Sequence, residues 1–136
     1  FDMILFFCAQ DLKTCWFGLI EDNAFSALEE RTIPPENYLA SLHQFLFDQQ
    51  LSSADLSGVS VVVGPGSFTS SRLSLTIVNT LHFVHKIPLF VLENPLLLDP
   101  RSLLQEQGIG RPILQSQYAR AVYRLPPHIT QQKVVS

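Results

Sequence analysis

Residues 3–9 are apolar and aromatic without a break, the pattern of a buried strand. Asp11-Leu12-Lys13 turns the chain, and residues 14–20, rich in aromatic and β-branched side chains, predict a second strand. Glu21-Asp22-Asn23 is a hairpin turn signal that leads into a third strand over residues 24–31. Pro34-Pro35 ends this antiparallel trio and suits the first turn of a helix. From Tyr38 the period changes: Tyr38, Leu42, Phe45 and Leu46 recur at helical spacing, with Leu39 at the edge of the stripe. That helix is expected to end near Gln50. Residues 52–58 form a polar linker with a short turn at Asp55.

Val59-Ser60-Val61-Val62-Val63 is a β-branched run bounded by turn residues, as a central strand buried on two sides requires. A tight turn and a helix over residues 70–85 follow. This helix carries two apolar stripes. Leu73, Ile77, Leu81 and Val84 lie in a narrow arc and are expected to face the sheet; Ser71, Leu75, Val78 and His82 form the other side. A strand over 88–92, a loop opened by Asn94-Pro95, a helix reaching Gln107, breaks at Gly108 and Gly110, and strands over 113–115 and 119–125 complete the pattern. Pro126-Pro127 begins a polar end.

Three strands, helix, strand, helix, strand is the α/β plan of a ribonuclease-H-like (actin-like ATPase) lobe. Its mixed five-stranded sheet joins an antiparallel trio to parallel strands through crossover helices.

Composition narrows the function classes. Hydrophobic residues make up 46% of the 136 and charged residues 15%, too apolar for a disordered chain, while the apolar runs are too short to span a membrane. The first residues lack the basic flank and cleavage site of a signal peptide, so Met3 is expected to be the natural start, while two cysteines without a disulfide framework make a reducing cytoplasm the expected compartment. A net charge of −3 argues against a stand-alone nucleic-acid binder. Arg101, Arg111, Arg120, Arg124 and Lys133 read as a solvated, locally basic tail. Cys8 and Cys15 fit neither a metal spacing nor a disulfide framework. His82 and His85 stand one helical turn apart without a third ligand, and Glu29, Glu30 and Glu36 read as a solvated corner. Trp16 and Phe17 read as hairpin core.

The segment with chemical information is Gly64-Pro65-Gly66-Ser67-Phe68-Thr69, between a strand and a helix. Its glycines permit backbone angles closed to other residues, with Gly66 the expected position of positive φ. Ser67 or Thr69 is placed to cap the helix, and with Arg72 they could hold an anion at its start. The spacing is neither that of a phosphate loop nor that of a nucleophile elbow.

Together with Arg72-Leu73 this segment resembles the G-P-G-S-F-T-G-x-R-I-G signature of the TsaB (YeaZ) family. Residues 59–63 and Ile87-Pro88-Leu89 resemble the family's flanking strands, residues 3–19 its opening hairpin, and residues 111–123, loosely, the start of its second lobe. The resemblance implies a ribonuclease-H-like lobe over residues 1–95, then a linker and the truncated start of a second lobe over 96–136. It also implies a non-catalytic scaffold subunit of the machinery that makes threonylcarbamoyladenosine in tRNA. The implied partners are a TsaD-like catalytic subunit and a TsaE-like ATPase, with a homodimer as an alternative and tRNA met only indirectly.

Departures from the family sharpen this expectation. Ala9-Gln10 stands where Asp-Thr is usual, Ser70 and Ser74 replace glycines, and Ser116-Gln117 replaces an acidic residue. No cofactor, metal or catalytic residue is expected, and neither is useful affinity for ATP. The alternative is a degenerate ATPase or glycoprotease-like enzyme. A partner interface is expected at Phe47, Ser71, Leu75, Val78 and His82, because the family pairs through these two helices.

Overall fold

Alternation along the first strand, β1 (Ile4–Cys8), divides the molecule into layers. Leu5, Phe7 and the following Ala9 enter one apolar cluster, while Phe6 and Cys8 enter a second on the opposite face. The computed structural model describes residues 2–113, 119 and 120. The other strands are β2 (Thr14–Glu21), β3 (Ala24–Thr32), β4 (Gly58–Gly64), β5 (Leu89–Glu93) and β6 (Arg111–Ile113). They form one sheet in the order β3-β2-β1-β4-β5-β6. The β1–β2 and β2–β3 pairs are antiparallel, and β1–β4 and β4–β5 are parallel. This is the ribonuclease-H-like plan that the element order predicts.

The sheet has one strand more than expected. After Gly108 the chain doubles back, and β6 pairs antiparallel with β5 from Arg111 to Ile113. Gly110 makes this possible: its φ is 105°, and a Cβ there would lie 2.5 Å from the Val91 carbonyl oxygen. The expected strand over 113–115 is thus displaced toward its N-terminal side, and Leu114 and Gln115 lie outside the described residues. So do most of the strand expected over 119–125, and Ser116-Gln117, Arg124, Pro126-Pro127 and Lys133.

Helices α1 (Tyr38–Asp48) and α2 (Phe68–His85) cover one face of the sheet, and α3 (Pro100–Gln107) covers the other. A 3₁₀ turn over Pro35–Asn37 leads into α1, which buries Tyr38, Leu42, Phe45 and Leu46 as its period dictates. Phe17 stacks on Phe45 with ring centroids 5.8 Å apart, and Phe7 meets Tyr38 edge-on at 5.5 Å. Each such aromatic pair adds about 0.5–1.5 kcal/mol to the burial itself. No helix among the described residues is long and apolar enough to cross a membrane.

Helix α2 is rotated relative to the expectation. Ser71, Leu75, Val78 and His82 face the sheet of their own chain, together with Ser70 and Ser74. Leu73 is 38% exposed and Val84 60%, while Ile77 and Leu81 are half-buried on the shoulder. The cause is local. Three serines bring the first half of the helix close to the strand ends; the Ser70 hydroxyl bonds to the Ser67 cap, and that of Ser74 donates to the Ser71 carbonyl at 3.1 Å. Size alone misassigned the buried side.

Candidate functional site: the edge where the parallel strands end

The parallel strands β1, β4 and β5 end at one edge of the sheet, where the signature turn leads into α2. Gly64, the last residue of β4, has a φ of 129° and precedes a cis peptide bond to Pro65. Positive φ therefore falls on Gly64 and not on Gly66. What demands glycine at 66 is space: a Cβ would meet the Gln10 carbonyl oxygen at 2.7 Å and the Gln10 Cα at 3.0 Å. Ser67 is the cap of α2, its Oγ accepting from the Ser70 amide at 3.2 Å and bonding the Ser70 hydroxyl. Thr69 lies inside the helix and does not cap it. Phe68 and Arg72 stand on the outer side, the guanidinium over the Phe68 ring at 5.0 Å.

Two carboxamides that pattern reading passed over tie this edge together. Gln10 Nε2 donates to the carbonyls of Pro65 at 2.8 Å and Asn94 at 3.0 Å, and its Oε1 accepts from Asn94 Nδ2 at 3.0 Å. The Ser67 amide donates to the Gln10 carbonyl at 3.0 Å, and the Asn94 amide to the Gly64 carbonyl at 2.8 Å. Asn94 also exchanges two bonds with the Leu98 backbone. The only sequence signal for this pair is Asn94-Pro95, a loop opener at the end of a strand.

Little reactive chemistry gathers here. Ala9 is buried and offers no carboxylate to this edge. The Asp11 carboxylate accepts from the Lys13 and Thr14 amides, both at 2.8 Å. Burial acts to raise its pKa, but these bonds outweigh it and hold the group below the usual carboxylate range. Burial pushes the Cys8 and Cys15 thiols up to about 12, so neither is a thiolate at neutral pH. Burial likewise raises the Tyr38 hydroxyl, which faces Ser70 without closing a hydrogen bond of full geometry. His82 Nδ1 lies 2.6 Å from the Ile87 carbonyl and donates to it. Among the described residues no three His, Cys, Asp or Glu come together in a way that could hold a metal ion.

The expected partner residues divide. Phe47 is 76% exposed near the end of α1, but Ser71, Leu75, Val78 and His82 lie beneath α2. The large apolar side chains that α1 and α2 leave exposed are Leu39, Phe47, Phe68, Leu73, Phe83 and Val84.

Residues 35–97, which run from the start of the first helical segment through the turn to the loop after β5, match the family model of TsaD, tRNA N6-adenosine threonylcarbamoyltransferase. The fold is similar to that of YeaZ from Pseudomonas aeruginosa, with a TM-score of 0.64 at 20% identity over 79% of this chain and 51% of that one. A second structure, of an uncharacterized protein with similarity to peptidase YEAZ from Pseudomonas aeruginosa, matches with the same TM-score and identity over 50% of its length. The chain thus spans about half the length of the solved structures that it resembles. No curated protein matches it in sequence. A segment similar to the TsaD family thus runs through the signature turn, and the fold around it is similar to that of YeaZ.

Proposed function

We propose that this chain is a non-catalytic scaffold in the formation of threonylcarbamoyladenosine in tRNA, acting in the cytoplasm. In this reading it pairs with a TsaD-like catalytic subunit through the outer faces of α1 and α2. A TsaE-like ATPase completes the assembly, and tRNA is met only through it. The observation that carries the reading is the set of large apolar side chains that these two neighbouring helices leave in water: Leu39 and Phe47 on α1, Leu73 and Val84 on α2. Support also comes from the strand-end edge, where Ala9 offers no carboxylate and the polar groups of Gln10 and Asn94 bond to the protein itself.

The test is the mass of the complex formed with the TsaD-like protein of the same source, measured by light scattering. Leu73→Asp should leave the circular dichroism unchanged and weaken pairing by more than about a hundredfold, since a carboxylate buried without a partner at a contact costs several kcal/mol. Normal pairing by this variant would move the interface elsewhere. Self-association with no uptake of the TsaD-like protein would favour a homodimeric scaffold.

A further inference from the structure

The Gln10–Asn94 pair does more than a partner-binding role requires. An amide side chain offers two donor hydrogens and an acceptor oxygen. In Gln10 all of these meet the protein's own atoms: the donors reach the Pro65 and Asn94 carbonyls, and the oxygen meets Asn94 Nδ2. The Gln10 backbone carbonyl takes the Ser67 amide at the mouth of α2, and the Asn94 amide closes on Gly64. Asn94 is buried, and Gly66 packs its Cα against the Gln10 backbone with no space for a methyl group. One side chain after β1 is therefore joined to the turn after β4 and to the loop after β5.

We propose that Gln10, oriented by Asn94, is a built-in fastener that holds the three strand ends and the start of α2 in one closed conformation without any ligand. Gln10 is a positioning residue: it acts on α2 through the turn. A cleft that waited for an anion would leave donors free; here the side-chain donors of both carboxamides are taken by acceptors of the protein itself. The proposal concerns the rigidity of this edge and stands or falls independently of which partner, if any, covers α1 and α2.

The test is amide hydrogen exchange, read as the ratio of each variant to the unaltered chain so that intrinsic exchange cancels. Gln10→Glu keeps the shape of the side chain but at about pH 8 removes both donors and sets a carboxylate against two carbonyls. The Ser67 and Asn94 amides should then exchange at least about tenfold faster, as the loss of two or three half-buried hydrogen bonds implies. The excess should shrink toward about pH 5, as the carboxyl takes up a proton and regains a donor. Gln10→Ala should show the acceleration at both pH values, and the amides of β2 and β3 should be unaffected in either variant. A ratio near one, an equal rise across β2 and β3, or a Gln10→Glu ratio that ignores pH would each overturn the proposal. If Gln10→Glu does not fold, the alanine variant and the unaltered chain still decide. In the unaltered chain the Ser67 and Asn94 amides should exchange as slowly as those of Val61 and Val62, with or without Mg-ATP. Loop-like exchange, or protection gained only with nucleotide, would overturn it.

Discussion

Helices α1 and α2 lie on the same face of the sheet and share one core, yet they choose their buried sides by opposite rules. Helix α1 buries its largest residues, Tyr38, Leu42, Phe45 and Leu46, and exposes what lies between them. Helix α2 buries three serines with Leu75, Val78 and His82, and leaves Leu73 and Val84 in water. The difference follows from what each helix covers. Helix α1 roofs a wide aromatic floor made by Phe7 and Phe17, where large side chains fill the gap. Helix α2 starts at the crowded junction of three strand ends, where a small surface lets the backbone come close and the Ser70 and Ser74 hydroxyls find partners in the cap and the helix. Closeness to a tight turn can thus outrank hydrophobic size in setting a helix's rotation.

The strongest way to break this comparison is a charge on either side of α2. Val78 is fully buried in the core, so Val78→Asp strands a carboxylate without a partner and should cost several kcal/mol, enough to unfold a domain of marginal stability. Leu73→Asp, on the outer side, should stay within about 1 kcal/mol of the unaltered chain. Thermal melts followed by circular dichroism measure both. Equal losses would mean that both sides of α2 are core and that the outward face is no candidate for a partner.

The same contrast explains how much could be read from the chain. The antiparallel trio was legible from its apolar run, its aromatic and β-branched residues and the turn signals between its strands, and α1 from a helical period that reports burial directly. The all-buried β4 was legible from its β-branched run. The rotation of α2 was not, because a buried serine and an exposed serine look alike in a sequence, and the choice depends on a turn that is itself tertiary. Gln10 and Asn94 were invisible for a related reason. They stand 84 positions apart, and nothing local marks an amide whose partners come from three strand ends. Ala9-Gln10 reads as the loss of a carboxylate, whereas the structure adds that Gln10 supplies a link of its own.

A second contrast separates two glycines of the α2 and α3 junctions. Gly66 is needed for space, since the atoms a Cβ would strike belong to the Gln10 backbone and cannot swing aside. Gly66→Ala should cost about 1–3 kcal/mol, as overpacking of a tight site does. Gly108, after α3, has open space around it but a φ of 64°. Gly108→Ala should cost about 1–3 kcal/mol through backbone strain alone, and Gly108→Asn about as much, because a ψ of −145° lies outside the left-handed helical region that asparagine tolerates. Melting the three variants side by side tests the assignment. If Gly66→Ala melts with the unaltered chain, the approach of Gln10 to the turn is looser than described, and the fastener weakens with it.

The smallest expected effect distinguishes two hydroxyls in the signature turn. Ser67 sits at the cap position with extended backbone angles, and its Oγ accepts from the Ser70 amide while also meeting the Ser70 hydroxyl. Thr69, two residues on, has helical neighbours on both sides and is exposed. Removing a cap leaves a helix-end amide without a partner, so Ser67→Ala should lower stability by about 1.5 kcal/mol. The buried Ser70 hydroxyl loses a partner in the same step, which places the loss in the upper half of the usual range of about 0.5–2 kcal/mol. Thr69→Ala should change stability by no more than about 0.5 kcal/mol. Ser67→Asn, which can still accept from the Ser70 amide, should recover most of the loss. Urea melts resolve differences of this size when the slopes agree. A loss at Thr69 that matches the loss at Ser67 would return the cap to the wrong hydroxyl, and with it the start of α2 would move two residues along the chain.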